Sequence, residues 1–337
     1  MGLKLAIAGA TGNVGREILA VLHERRFEAE AVVALASKDS EGEEVDFGPA
    51  KTLTVKLLES FDFTGTDIAF FAAGSEVSKI YAPKAAAAGA VVIDNSALYR
   101  LDPDVPLVVP EVNAAALAGF KKKNIVANPN CSTIQLVVAL KPLHDKAKAK
   151  RVVVATYQSV SGIGREAMDE LFHQTRSIFF SEVTKPEIFE RQIAFNIIPK
   201  VGGYDAAGEA LEETKIVKET AKILDPAIKL TATCVRVPVF IGHSEAVNVE
   251  FERAITPEEA RAILRQAPGV ILDEGVTGRS FTTPAECVGE AATFVGRVRR
   301  DPTVPHGLNF WVVSDNLRKG AALNAVQIAE ILAARHL

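Results

Sequence analysis

The chain has 337 residues, 48% of them hydrophobic, with 38 basic residues against 42 acidic and a formal net charge of −4. That is enough apolar material for two cores, and a charge balance this even, with Lys121-Lys122-Lys123 as the one basic run, gives no support to nucleic-acid binding. Three cysteines, Cys131, Cys234 and Cys287, make neither an even disulfide framework nor a metal-ligand pair, so no metal site is expected and thiol chemistry stays available in a reducing, cytoplasmic setting. No basic stretch leading into an apolar run opens the sequence, and no apolar run approaches the ~20 residues that span a bilayer, so the expectation is a soluble protein with no membrane partner.

Residues Leu3 to Ala8 read as a short apolar strand. The chain then turns through Gly9-Ala10-Thr11-Gly12-Asn13-Val14-Gly15 into a helix with Val14, Ile18 and Leu22 on its apolar side. Glycines here permit a tight turn and close approach of backbone to a pyrophosphate seated on the helix N-terminus, and the strand-turn-helix context is the one a dinucleotide motif requires. Gly9, Thr11, Gly12, Asn13 and Val14 are therefore candidate cofactor residues. The second strand, Ala31 to Ala36, ends in Ser37-Lys38-Asp39-Ser40, without the Asp or Glu that an NAD site places at that point for the ribose hydroxyls. Ser37, Lys38 and Ser40 suit a 2′-phosphate instead, which favours NADP.

The buried strand Asp67 to Ala72 runs into Ala73-Gly74-Ser75, a second strand-to-helix turn, and Gly74 joins the cofactor candidates. A helix ending at Gly89 and a strand Val91 to Asp94 follow. This alternation through residue 130 predicts a Rossmann-type, doubly wound parallel sheet. Arg100 lies in a loop just past the sheet edge, where its fork of donors fits phosphate or carboxylate.

Asn128-Pro129-Asn130-Cys131-Ser132-Thr133 then leads into the apolar run Ile134, Leu136, Val137, Val138 and Leu140. Pro129 keeps Asn128 out of helical geometry, and the following spacing is helical, so Cys131 is expected at or just before a helix start. There the unpaired N–H groups and the helix dipole favour a thiolate, the form in which a cysteine is a nucleophile.

From Arg151 the texture changes to long β-prone segments: Val152 to Ser159, Lys229 to Val235, Ala246 to Phe251, Phe294 to Arg299 and Leu308 to Val313. These predict a second, α+β domain on a mixed sheet, whose broad face suits a dimer. Cys234 and Arg236, two apart on a strand, share a face. His243 is expected just past Gly242, where that strand ends and the chain turns toward the thiol. Ala321 to Ala334 reads as an amphipathic C-terminal helix, with Leu323, Val326, Ile328 and Leu332 on its apolar side.

The Cys131 segment, the stretch Tyr157-Gln158-Ser159-Val160-Ser161-Gly162 and, above all, Cys234-Val235-Arg236-Val237-Pro238-Val239-Phe240-Ile241-Gly242-His243-Ser244 resemble the aspartate-semialdehyde dehydrogenases of bacteria, over essentially the whole chain. The resemblance implies an NADP-dependent phosphorylating aldehyde dehydrogenase. Such an enzyme interconverts aspartyl 4-phosphate and aspartate 4-semialdehyde with phosphate, on the route to lysine, threonine and methionine, as a cytoplasmic homodimer.

Carried over position by position, the resemblance makes Cys131 the nucleophile, Gln158 the residue orienting the thioester and His243 the acid/base. Arg236 falls on the position that grips the substrate carboxylate, Glu212 on the one facing its amino group, and Arg100, Asn130 and Lys215 on the phosphate binders. Ser161, Gly162 and Asn316 fall beside the cofactor. The segment before Thr214 is looser than the family pattern, so Glu213 competes with Glu212; Glu212 is preferred because Lys215, three residues on, shares its helix face. The domains implied are 1–130 with 316–337 for the dinucleotide, and 131–315 for catalysis and dimerisation. A reductase of a related acyl phosphate, of the N-acetyl-glutamyl-phosphate kind, and a non-catalytic cofactor-binding paralogue are the competing readings.

Overall fold

The computed structural model describes residues 2–182, 184–274 and 280–336, which fall into two compact units, Met1–Asn130 with Ala321–Leu337, and Cys131–Gly320. In the first unit the strands are β1 (Leu3–Ala8), β2 (Ala29–Ala36), β3 (Glu44–Asp46), β4 (Thr52–Thr54), β5 (Lys56–Leu57), β6 (Ile68–Phe71), β7 (Val91–Asp94) and β8 (Ile125–Ala127). Six of them form one sheet in the order β5-β2-β1-β6-β7-β8 with every pair parallel, while β3 and β4 make a small hairpin. β6 and β7 are buried along their whole length, which is why they read as unbroken apolar runs rather than as alternation. This is the expected Rossmann-type sheet, and its strand order reverses between β1 and β6, so ligands belong at the carboxyl ends of those strands.

The C-terminal helix, Leu323–Arg335, packs in this unit's core through Leu323, Val326, Ile328 and Leu332. Asn324 Nδ2 donates to the Val108 carbonyl at 2.9 Å and to Asn128 Oδ1 at 2.7 Å, and Arg25 pairs with Glu330 at 2.6 Å. A five-residue π-turn, Arg318–Ala322, leads into it. Asn316 and Gly320 precede the return and belong to the second unit.

The second unit holds β9 (Ala149–Gln158), β10 (Lys229–Arg236), β11 (His243–Phe251), β12 (Val270–Asp273), β13 (Thr293–Asp301) and β14 (Gly307–Ser314), in the order β10-β9-β11-β14-β13-β12. Both outer pairs are parallel and the inner ones antiparallel, giving the mixed sheet expected. The helix Cys131–Ala147 lies on one face. Its Leu136, Ala139, Leu140 and Leu143 share a core with Val152, Val154, Val247, Val249, Leu308 and Phe310, and each buried leucine contributes about 1.5–3 kcal/mol.

Strand register explains where that face changes character. Leu230, Val152, Val249 and Leu308 lie side by side across β10, β9, β11 and β14, and the next row is Ala232, Val154, Val247 and Phe310. One step further the row becomes Cys234, Thr156, Glu245 and Val312, and the last brings Arg236 beside Gln158 and His243 beside Ser314. Alternate residues of a strand share a face, so the sheet is apolar under the body of the helix and polar over its final two rows.

His243 departs from its expected place. It is the first residue of β11 rather than a loop residue at the end of β10, which already stops at Arg236. Pro238 and Gly242, the latter at φ +99°, break the chain between them, and the intervening backbone instead accepts hydrogen bonds from Val160 N–H (to Val239 O, 2.9 Å) and Ser161 N–H (to Phe240 O, 3.0 Å). A histidine on a strand has its ring direction set by the sheet, which a loop would leave open.

Candidate active site

Two sets of residues stand out, one in each unit. In the first, the turn after β1 uses its glycines for separate reasons. Gly9 has φ +88°, and a Cβ there would lie 2.8 Å from the Ala72 carbonyl; a Cβ on Gly15 would lie 2.1 Å from the Gly9 oxygen. Gly12 has an ordinary φ of −78° and no such crowding, its closest neighbour being 3.5 Å from a built Cβ. It is the N-cap of the helix Asn13–Glu24, and no side chain caps that end. A bare helix N-terminus approached by a residue without a side chain fits a phosphate, so Gly9, Thr11, Gly12, Asn13 and Val14 suit the pyrophosphate of a dinucleotide. Ser37, Lys38 and Ser40 form a short 3-10 turn directly after β2, with Ser37 and Lys38 exposed. Gly74, at φ +86°, caps the helix Ser75–Ala87 after β6.

Arg100 is buried in the same unit, its Nε donating to the Asn128 carbonyl at 3.0 Å and its Nη2 to the Asn95 carbonyl at 2.9 Å. Asn128 Nδ2 in turn donates to Asn95 Oδ1 at 2.9 Å. The guanidinium therefore holds the backbone three residues ahead of Cys131, and Asn130, also buried, is carried on that segment. Asp94, at the end of β7, accepts from Ser78 and Ser96 hydroxyls at 2.6 Å each; burial raises its pKa and those hydrogen bonds oppose the rise.

In the second unit Cys131 opens its helix, as expected, and is the only one of the three thiols that is not buried. Burial pushes Cys234 and Cys287 up to about 12, which leaves both as inert thiols. Gln158, at the end of β9, donates from Nε2 to Ser132 Oγ at 3.0 Å, to Thr156 Oγ1 at 3.3 Å and to Glu212 Oε1 at 3.3 Å. Glu212 Oε2 takes the Lys215 ammonium at 3.1 Å. Its neighbour Glu213 is occupied elsewhere, accepting the Cys234 N–H at 2.8 Å and reaching back to the Ala210 N–H that starts its own helix. Of the two glutamates only Glu212 reaches the Gln158 side chain.

Arg236 is 5% exposed; burial lowers its pKa, opposed by Glu212 and Cys131, and its Nη1 donates to the Ser159 carbonyl. His243 is fully buried and held down to about 3, first by burial and then by the Arg236 charge, with Glu212 opposing. It is neutral at pH 7. Its Nδ1 meets two groups of one residue, the Ser159 N–H and the Ser159 hydroxyl, both at 3.0 Å. The N–H is a fixed donor, so Nδ1 accepts and the neutral ring carries its hydrogen on Nε2, while the hydroxyl passes its own hydrogen to Asn316 Oδ1 at 3.0 Å. Nε2–H is therefore the group that the neutral ring can offer. Nε2 itself has no hydrogen-bond partner among the described residues, and Gly162 leaves it room: a Cβ there would come within 3.4 Å of it and within 3.7 Å of Arg236 Nη1.

Asn316 ties this corner together. Its Oδ1 accepts from the Gly242 N–H at 2.8 Å, while its Nδ2 donates to Ser161 Oγ at 2.9 Å. Gly320 stands against the thiol residue, where a Cβ would lie 2.9 Å from Cys131 Cβ.

Residues 4–120 match the family model for the semialdehyde dehydrogenase NAD binding domain, and residues 140–319 that for the semialdehyde dehydrogenase dimerisation domain. An aspartate-semialdehyde dehydrogenase of Aquifex aeolicus is 52% identical over 335 residues, covering 98% of each chain. This chain belongs to the aspartate-semialdehyde dehydrogenase family. Its Rickettsia conorii relative is 51% identical over 99% of this chain and 98% of its own. Among solved structures, aspartate semialdehyde dehydrogenase II of Vibrio cholerae complexed with ASA superposes with a TM-score of 0.97 at 47% identity, covering 100% of both chains. The Candida albicans enzyme with NADP superposes at 0.77 with 26% identity and 99% of both chains covered. As a member of this family the chain is an oxidoreductase with a nucleotide-binding domain and a dimerisation domain, and no described helix is long and apolar enough to cross a membrane.

Cys131, Gln158, Glu212, Lys215, Arg236, His243, Ser161, Gly162 and Asn316 all lie in the second unit; Arg100, Asn130 and the nucleotide candidates lie in the first. Sequence reasoning passed over Ser159, Gln135 and Glu245. The signal was there for two of them: Gln135 interrupts an apolar helix one turn after Cys131, and Glu245 is an acid two residues from His243 on an otherwise apolar strand face. No described group of three or more His, Cys, Asp or Glu could hold a metal ion.

Proposed function

We propose that this chain is an NADP-dependent aspartate-semialdehyde dehydrogenase, converting aspartyl 4-phosphate to aspartate 4-semialdehyde and phosphate through a thioester on Cys131, reversibly, in the cytoplasmic synthesis of lysine, threonine and methionine. The observation that carries the reading is the cluster around Cys131's helix: an accessible thiol at a helix start on the unit that also packs Gln158, Glu212, Arg236 and His243 over the polar end of one sheet face. No other described cysteine has such company.

In this reading the Cys131 thiolate attacks the acyl carbon; the C–S bond forms, the C–O bond to phosphorus breaks and inorganic phosphate leaves. NADPH, when bound, supplies the hydride that takes the thioester to the aldehyde level, after which the C–S bond breaks and the thiolate is regenerated. Gln158, its two amide hydrogens directed among Ser132, Thr156 and Glu212, orients the acyl group. His243, the acid/base of this reading, hydrogen-bonds the acyl oxygen through Nε2–H as charge develops there. Arg236 offers the remaining part of its fork to the substrate carboxylate, and Glu212 faces the amino group. Lys215, Arg100 and Asn130 bind phosphate. Gly9, Thr11, Gly12, Asn13, Val14, Gly74, Ser161, Gly162 and Asn316 hold the cofactor, with Ser37, Lys38 and Ser40 on its 2′-phosphate.

The same reading makes the protein a homodimer through its second unit, in keeping with the dimerisation-domain match and with large apolar side chains left open there, such as Phe180 at 71% and Phe195 at 63% exposure. The deciding assay is phosphate-dependent NADP reduction with aspartate semialdehyde, run beside N-acetyl-glutamate semialdehyde. A folded, NADP-binding preparation that reduces NADP with neither aldehyde rules out catalysis, and preference for the second aldehyde reassigns the substrate.

A further inference from the structure

Beneath the cluster lies a buried polar pair that the chemistry above does not use. Gln135 follows Cys131 by four residues, so the two project from the same side of their helix. Glu245 precedes Val247 and follows His243 at two-residue spacing on β11, flanked across the sheet by Thr156 and Val312. Both side chains are buried, at 1% and 0% exposure, and the Gln135 amide lies beside the Glu245 carboxyl. Gln135 Nε2 donates to the His243 carbonyl at 3.2 Å. Gln135 Oε1 and both Glu245 oxygens make no hydrogen bond of good geometry among the described residues, although the Gln135 amide is near enough to act on the Glu245 carboxyl, so three acceptors share one buried pocket.

We propose that Gln135 and Glu245 are a positioning pair for the Cys131 and His243 of the proposed reaction: Glu245 donates a carboxyl O–H to Gln135 Oε1, and Gln135 passes its N–H to the His243 carbonyl. The proton is what makes the pocket consistent, because it turns one of three facing acceptors into a donor; an ionised carboxylate there would be a buried charge on which no described cation acts. Burial pushes the Glu245 carboxyl well above the ordinary carboxylate range, with the Gln135 amide only partly opposing. The chain of two hydrogen bonds ties the second turn of the nucleophile's helix to the first residue of the strand that carries the base, which sets their separation.

The inference rests on the proposed thioester chemistry for its kinetic readout, and the alkylation rate of Cys131 by iodoacetamide, followed by mass spectrometry, gives a readout that does not depend on the substrate. Glu245→Gln keeps a neutral donor of the same shape and is expected to stay within about twofold of the parent in kcat and in alkylation rate, whereas Glu245→Leu is expected to lose about tenfold or more in kcat, with KM for the aldehyde unchanged. Gln135→Met removes the relay at similar volume and is expected to match Glu245→Leu, the double variant being no worse than either. Equal losses in Glu245→Gln and Glu245→Leu, or parental kcat and alkylation rate in Gln135→Met, overturn the proposal. If Glu245→Leu does not fold, Gln135→Met and Glu245→Gln still decide it. A parent protein inactive on the aldehyde sinks the assigned reaction instead, and the alkylation rates then judge the pair alone.

Discussion

Gly320 offers the sharpest test of how closely the site is built. A methyl group added there meets Cys131 Cβ at 2.9 Å, about 0.5 Å short of the 3.4 Å at which ordinary contact begins. The crowded atom belongs to the backbone-proximal part of the nucleophile and not to the far end of a flexible chain, so relief has to come from moving Cys131, the π-turn of Gly320, or both. φ at Gly320 is not in the left-handed region, so alanine adds no backbone strain of its own and the effect isolates the steric one. Misplacing a reacting atom by about 1 Å costs on the order of 100-fold in rate, so a shift of about half that predicts a loss of about tenfold in kcat for Gly320→Ala. The loss should fall on the acylation burst measured by rapid quench, while NADP affinity measured by fluorescence titration stays at the parental value. A Gly320→Ala protein with parental burst rate and kcat would refute the close packing of these two residues as a constraint on the chemistry.

Cys131→Ala should abolish turnover and leave NADP binding intact, as followed by NADPH absorbance and by titration; near-normal turnover would exclude the covalent route. Lys38→Ala should raise KM for NADP about tenfold, with KM for NAD unchanged, if the lysine meets a 2′-phosphate. His243 has a folded pKa near 3 against an unperturbed value of about 6.5, so the unfolded chain binds the extra proton between those values and stability is lost as pH falls through that window. His243→Gln should therefore show a flatter fall in melting temperature from pH 6.5 downward. Glu245 is shifted the opposite way, its folded pKa raised, so its contribution is complete below the ordinary carboxylate range and is lost as pH rises. Glu245→Gln should accordingly melt higher than the parent at pH 8, with the difference vanishing at acid pH.

Both sheets were legible because strand signals are local. Unbroken apolar runs such as Ile68–Phe71 mark a sheet covered on both sides, and the glycine-rich turn after Leu3–Ala8 needs only its own backbone geometry. Cys131 at a helix start followed from Pro129 and the spacing after it. The choice of Glu212 over Glu213 rested in sequence on a helix face shared with Lys215; in the structure Glu213 accepts the Cys234 N–H and Glu212 meets Gln158. The placement of His243 failed, because β10 ends at Arg236 and a Pro-Gly connection resets the chain before β11, a register that depends on pairing with Ser314 across the sheet.

Composition and spacing alone thus determined two apolar cores, the parallel and mixed sheets, a glycine-rich turn between strand and helix and a thiol at a helix start, all properties encoded within a few neighbouring residues. Only tertiary structure decided that the Ser159 N–H fixes the tautomer of His243, that Asn316 braces Gly242 and Ser161, that Gly320 crowds Cys131, and that Gln135 and Glu245 meet in one buried pocket. Those contacts join residues up to almost 200 positions apart, and their energies depend on burial and on which groups are left without water, quantities that no stretch of sequence carries until the strands are in register.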